Sequence, residues 1–103
     1  MVDRVAALQA LAQAHPNDVF AHYGLAMALA GAGQTEEAVE EFQRVLALDP
    51  NYTVAYFQMG QALEKLERRE EARESYARGI EVAARQGQGH AREQLESALE
   101  LLG

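Results

Sequence analysis

The sequence repeats itself at one fixed offset, which is the distance from residue 16 to residue 50. The pair Pro16-Asn17 recurs as Pro50-Asn51, and the triplet Glu36-Glu37-Ala38 recurs as Glu70-Glu71-Ala72. Without a gap, the same offset also aligns Ala21 with Ala55, Ala28-Leu29 with Ala62-Leu63, Glu40 with Glu74 and Arg44 with Arg78. A period of this length is typical of proteins that copy one supersecondary unit, each copy burying its apolar face on the next. The spacing therefore predicts a stack of short repeats.

The composition favours helices within one small domain. The chain has 103 residues, 49% of them hydrophobic and 24% charged, and alanine and leucine dominate the apolar residues. These residues, together with glutamate, glutamine and arginine, have high helix propensity. The sequence contains no cysteine, which excludes disulfides, thiolate metal sites and cysteine nucleophiles from these residues.

Apolar residues at intervals of three and four predict six helices. They are expected at about Val2–Ala14, about Val19–Ala32, from Thr35 to the stop at Asp49-Pro50, from Asn51 or Thr53 to a turn near Glu67, at about Arg69–Gln86 and at His90–Leu102. Asn17 or Asp18 is a suitable N-cap for the second helix, and Asn51 or Thr53 for the fourth. The sequence thus predicts an all-α protein.

The helices are of two alternating kinds. The spacing of Ala21, Leu25 and Leu29 recurs at the repeat offset, and a third time in the last helix at Ala91, Leu95 and Leu99. This last interval is longer than the first by two residues, and we assign the extra residues to the connection at Gly87–Gly89. The chain thus contains two whole helix pairs, preceded by a helix of the second kind and followed by one of the first kind.

This pattern resembles the tetratricopeptide repeat family, whose unit is a helix–turn–helix of about 34 residues. The residues that carry the resemblance are Ala21, Leu25, Ala26, Leu29, Gly33, Ala38, Phe42, Leu46, Pro50, Ala55, Tyr56, Met59, Gly60, Leu63, Ala72, Tyr76 and Ile80. It implies a right-handed α-solenoid of antiparallel helix pairs, divided into a leading half-repeat (1–16), repeat 1 (17–50), repeat 2 (51–86) and a capping helix (87–103). His22 departs from the pattern, since a large apolar residue is usual at its position.

No catalytic constellation is visible in the sequence. His15, His22 and His90 lie on different helices or turns, and this separation disfavours a shared metal site. The acidic residues Glu36, Glu37, Glu40 and Glu41 largely recur in repeat 2, and we interpret them as a solvated helix face. We therefore expect a protein that is not an enzyme and that needs neither cofactor nor metal.

The charge and the termini bear on location and partners. The formal net charge is −7, which disfavours nucleic acid and anionic membrane surfaces as partners. The sequence begins without a basic and apolar leader, and no apolar run approaches the roughly 20 residues that span a membrane. We expect a soluble, cytoplasmic protein.

The family resemblance also implies a binding surface, because the first helix of each unit lines a concave groove in that family. The positions that correspond to this groove are Phe20, Tyr23, Met27, Val54, Phe57, Gln58, Gln61 and Glu64. Five of them are apolar or aromatic, and large apolar patches usually mark interaction sites. We therefore expect a protein or peptide partner with apolar anchors. Two alternatives remain: the groove closes a homodimer, or the leading helix or the Gly87–Gly89 turn covers it.

Overall fold

The computed structural model describes residues 3–103. These residues form six helices and no strand: α1 (Arg4–Ala14), α2 (Val19–Gly31), α3 (Thr35–Leu48), α4 (Thr53–Lys65), α5 (Arg69–Arg85) and α6 (Gly89–Leu102). The predicted all-α class and the six helices are confirmed, and the ends of α2 to α6 lie close to those stated from the sequence. Val2, which we placed in the first helix, lies outside the described residues.

Consecutive helices pack on one another, so the molecule is elongated, with principal extents of 40, 28 and 19 Å. The core consists of two apolar clusters that follow the repeats. One joins α1, α2 and α3 around Phe42 and includes Ala55 of α4, and the other joins α4, α5 and α6 around Tyr76 and includes Val39 of α3. Phe42 and Tyr76 occupy equivalent positions of the two repeats and are both fully buried, so each repeat places one large ring at the same point of its core.

The two extra residues of the final interval lengthen a helix, so our assignment of them to the connection was wrong. Helix α5 has 17 residues where α3 has 14. The turn from α5 to α6 has three residues, one fewer than the turn from α3 to α4. Pro50 ends repeat 1, whereas Ala84 stands at the equivalent position of repeat 2 and allows the helix to continue.

The N-cap predictions are confirmed for α2 and wrong for α4. Asp18 precedes α2, and its carboxylate accepts a hydrogen bond of 2.9 Å from the backbone N–H of Phe20. The residue before α4 is Tyr52, which makes no side-chain cap. Thr53 is the first helical residue, and its hydroxyl donates to Gln88 in the turn before α6. The side chain of Thr53 thus joins two helix starts.

Glu41 is not part of a solvated face, which corrects our interpretation of the acidic cluster. Glu41 is 8% exposed, whereas Glu36, Glu37 and Glu40 are exposed as expected. The carboxylate of Glu41 is hydrogen-bonded to the His22 ring at 2.8 Å and accepts a further hydrogen bond from Arg44. Burial is possible because both carboxylate oxygens have charged or polar partners.

Candidate functional site

Helix α2 presents the first aromatic residues of the expected groove. Phe20 lies near its start and is 70% exposed, while Tyr23 and Met27 are half-buried and pack against the core of repeat 1. The ring centroid of Tyr23 lies 6.0 Å from that of Phe42. Tyr23 is therefore fixed by the core beneath it, whereas Phe20 has a large surface available for contact.

Tyr52, which we did not include among the groove residues, joins the two repeats. Its ring centroid lies 5.1 Å from that of Tyr23 and 6.1 Å from that of Phe20, edge-on in both cases. Such edge-to-face pairs are favourable, each contributing about 0.5–1.5 kcal/mol beyond burial. Desolvation by burial is the main cause that raises the pKa of Tyr23 and of Tyr52 above 10. Tyr52 stands at the position that Asp18 occupies in repeat 1. This difference between the two repeats was the sequence signal that could have identified Tyr52 as a groove residue.

Two adjoining cavities, both open to solvent, lie between helices α4 and α6. The first has a volume of about 480 Å³ and is lined by Asn51, Tyr52, Thr53, Val54, Phe57, Gln88, His90, Ala91, Gln94 and Leu95. The second has about 510 Å³ and is lined by Phe57, Gln61, His90, Glu93, Gln94, Ser97, Ala98 and Leu101. Phe57, His90 and Gln94 border both. Val54 is 43% exposed, so a ligand in the first cavity can reach it.

Two polar residues of the predicted groove, Gln61 and Glu64, support the core. The side-chain amide of Gln61 donates to the phenolic oxygen of Tyr76 over 2.7 Å, and that phenol donates to the carboxylate of Glu64. Burial, followed by the hydrogen bond to Glu64, raises the pKa of Tyr76 well above its ordinary value. Gln61 still lines a cavity, whereas Glu64 lies beyond the two cavities.

The eight predicted groove residues are thus only partly brought together. Val54, Phe57 and Gln61 line the cavities between α4 and α6. Phe20 and Tyr23 lie on the other side of Tyr52 and meet its ring. Met27 packs against the core of repeat 1, and Gln58 and Glu64 are half-buried on α4 without lining either cavity.

The described chain leaves much of this surface open. Helix α1 reaches α2 at Gly24, where an added Cβ would lie 3.8 Å from a methyl group of Leu8, but Phe20 remains exposed. The turn before α6 borders the first cavity through Gln88 without burying Val54. Neither the leading helix nor the Gly87–Gly89 turn therefore covers the exposed surfaces of Phe20 and Val54.

The described residues offer neither a metal cluster nor a membrane-spanning helix. Among residues 3–103, no three histidine, cysteine or acidic side chains are grouped so that they could hold a metal ion. In that same range, none of the helices combines the length and the apolar character that crossing a membrane requires.

Sequence comparisons identify the repeats. Two family models, each described as tetratricopeptide repeat, match residues 29–95 and residues 2–54. The solution structure of a tetratricopeptide repeat domain protein from Salinibacter ruber is 31% identical, covers 84% of this chain and 88% of its own, and has a TM-score of 0.79. No curated protein sequence is significantly similar to this chain.

More distant solved structures share the fold. The TPR2B domain of yeast Sti1, in a complex with pHsp70, is 20% identical and has a TM-score of 0.88, with 95% of this chain and 78% of that chain covered. The type III secretion chaperone SycD of Yersinia enterocolitica, in complex with a peptide of the translocator YopD, is 19% identical and has a TM-score of 0.87, with 95% and 76% covered.

Proposed function

We propose that this chain, which belongs to the tetratricopeptide repeat family, is a non-catalytic protein-interaction module that binds an apolar segment of a partner in the groove lined by α2, α4 and α6. The pair of cavities that meet at Phe57 carries the proposal. Concave sites that combine apolar walls with a few polar groups are the usual form of binding sites. Solved structures of the same fold, in complexes with a peptide of YopD and with pHsp70, support it.

The residues around the cavities define the chemistry of the segment. The walls are apolar at Val54, Phe57 and Leu101, and carboxamides at Gln61 and Gln94 supply donors and acceptors. The two cavities are lined by no lysine or arginine, and the charged lining residue is Glu93. A ligand that depends on a carboxylate contact is therefore disfavoured, and anchoring by aliphatic or aromatic side chains is favoured.

A peptide selection tests the groove directly. A phage-displayed random peptide library is panned against the immobilised protein, and the selected sequences are then measured against variants. We expect peptides enriched in aliphatic and aromatic residues whose affinity falls at least tenfold with Val54→Asp or Phe20→Asp. Leu48→Asp is the matched control, because Leu48 is 41% exposed on α3 and lies outside both cavities. Equal affinity for Val54→Asp and Leu48→Asp would contradict binding in the groove.

A homodimer that uses the same surface is the second candidate, favoured by the exposure of Phe20. Large contiguous apolar patches mark interaction sites, among them those between copies of one protein, and Phe20 would extend the apolar surface of the groove. Sedimentation velocity at micromolar concentration distinguishes the two candidates. A monomer supports a groove that is free for a foreign segment, whereas a dimer that dissociates with Phe20→Glu supports self-association.

A further inference from the structure

His22 is buried between two oxygen atoms. Its Nδ1 atom lies 2.8 Å from Oε2 of Glu41 on α3, and its Nε2 atom lies 2.8 Å from the backbone carbonyl oxygen of Pro16. The residue is 7% exposed, so little of the ring faces bulk solvent. A carbonyl oxygen accepts hydrogen bonds and cannot donate them, and therefore the Nε2 atom has to carry a hydrogen.

Repeat 2 provides an internal comparison for this contact. Tyr56 and Pro50 stand one repeat length after His22 and Pro16, and the phenol of Tyr56 donates to the Pro50 carbonyl over 2.7 Å. The same carbonyl is thus bound by a side-chain donor in both repeats. The equivalent of Glu41 is Ser75, whose hydroxyl donates to the backbone carbonyl of Tyr56 over 2.8 Å. Repeat 2 thus has hydroxyl groups at these positions, and neither hydroxyl gains or loses a proton near neutral pH.

The second ring nitrogen then requires a proton as well. If Nδ1 carried none and Glu41 were ionised, two lone pairs would face each other across the short contact between the ring and the carboxylate. The other carboxylate oxygen of Glu41 accepts a hydrogen bond from the guanidinium of Arg44, and a cationic donor of this kind bonds most strongly to an anionic acceptor. The arrangement that satisfies every atom is an imidazolium ring beside a carboxylate.

Besides the pair itself, Arg44 is the charged residue that lines the adjoining cavity. The surrounding cavity has a volume of about 350 Å³ and is lined by Gln9, Ala12 and Gln13 of α1, Pro16 of the turn, His22 and Leu25 of α2, and Glu41 and Arg44 of α3. Helix α1 therefore supplies carboxamides, and α3 supplies one anion and one cation. The electrostatic balance of this site depends on the proton that His22 and Glu41 share.

We infer that repeat 1 contains a proton-dependent lock, in which the protonated His22–Glu41 pair ties the start of α2 to α3 and to the α1–α2 turn. Loss of the proton breaks the link to Glu41 and leaves its buried carboxylate with one partner fewer. The link lies within one helical turn of Phe20 and Tyr23, so a rise in pH loosens this side of the groove. Repeat 2 stays fixed, because Tyr56 and Ser75 keep their protons.

The test compares the wild type with a variant that carries the residues of repeat 2, His22→Tyr with Glu41→Ser. Urea unfolding is measured between pH 6 and pH 9, a range in which an ordinary histidine, whose pKa is about 6.5, loses its proton. We expect the folded-to-unfolded ratio of the wild type to fall with rising pH, by up to about tenfold per pH unit, relative to the variant. The same fall in both proteins would overturn the inference.

A spectroscopic measurement keeps the inference falsifiable if the double variant does not fold. Nitrogen-15 NMR of the wild type reports whether each ring nitrogen of His22 carries a hydrogen, with the exposed His15 and His90 as internal references. At pH 7.5, where an ordinary histidine with a pKa of about 6.5 carries mostly one hydrogen, we expect hydrogens on both nitrogens of His22. A ring with one hydrogen in the folded protein at that pH would overturn the inference, whatever the mutants show.

Discussion

The ring of Tyr76 fills the space that a side chain on Gly60 would need. A Cβ built on Gly60 would lie 2.3 Å from Cε1 of Tyr76 and 2.7 Å from its Cδ1. The ring has little freedom to withdraw, because its phenol is hydrogen-bonded to Gln61 and Glu64. In repeat 1 the equivalent residues are Ala26 and Phe42, both fully buried. The larger ring, Tyr76, thus faces the smaller residue, Gly60, whereas repeat 1 has the smaller ring, Phe42, and the larger residue, Ala26.

The first prediction concerns this contact. Gly60→Ala should lower the free energy of unfolding by about 1–3 kcal/mol, because the added methyl group overpacks against the Tyr76 ring. Gly31→Ala is the control, since a Cβ there would have no neighbour within 4 Å. The control should leave the stability unchanged or raise it by up to about 1 kcal/mol through helix propensity. Chemical denaturation measures both, and a Gly60→Ala protein as stable as the wild type would contradict the contact.

The second prediction concerns the small residues between paired helices. Ala38 in α3 and Ala72 in α5 occupy equivalent positions of the two repeats, and both are fully buried. Replacement of either by leucine should cost about 1–3 kcal/mol by overpacking. Ala47→Leu, at an exposed position of α3, should change the stability by less than about 0.5 kcal/mol. Equal effects at Ala47 and at the two buried positions would refute the proposed equivalence of the repeats.

The third prediction concerns alkaline pH. The folded protein holds the pKa of Tyr76 above 10, through burial and then the hydrogen bond to Glu64. The neutral phenol is therefore favoured on folding, so the stability it contributes is complete below about pH 10 and is lost as pH rises above that value. Tyr76→Phe should weaken the loss of stability between pH 9 and pH 11, measured by urea unfolding. An unchanged pH slope would contradict the burial of a neutral Tyr76 phenol.

The fourth prediction concerns the turn between α4 and α5. Glu67 has a φ of +59°, and Gly33, its equivalent in repeat 1, has a φ of +81°. A residue with a Cβ pays about 1–2 kcal/mol in this left-handed conformation. Glu67→Gly should therefore raise the thermal midpoint, while Gly33→Ala should lower it. If Glu67→Gly lowered the midpoint, backbone strain would not be the dominant effect at this turn.

The repeat predicted most of the fold because packing positions are the ones that recur. Ala38 and Ala72 are both fully buried, as are Phe42 and Tyr76. The period carries no information at positions where the two copies differ. The sequence pattern placed Glu41 in an exposed acidic run. Its burial depends on a contact with His22 in another helix, and periodicity gives no information about such contacts.

The groove was less predictable, because its geometry depends on contacts between helices that are distant in sequence. The family resemblance indicated Val54 and Phe57, and both line a cavity against α6. Tyr52 lies in a turn, outside any helical pattern, and only the ring distances to Phe20 and Tyr23 reveal its position. Glu64 was predicted as a groove residue, but its hydrogen bond to Tyr76 is a contact with the core.

The most direct test of the account is to map a selected peptide on the folded protein. A peptide from the library selection is titrated into nitrogen-15-labelled protein, and the backbone amide shifts are followed by NMR. We expect the largest changes at Phe20, Tyr52 and Phe57 and along the face of α6 that borders the cavities, with little change in α3 at Ala47 and Leu48. Changes concentrated on α1, α3 and α5, with those groove amides unaffected, would contradict the central claim that the concave groove binds the partner.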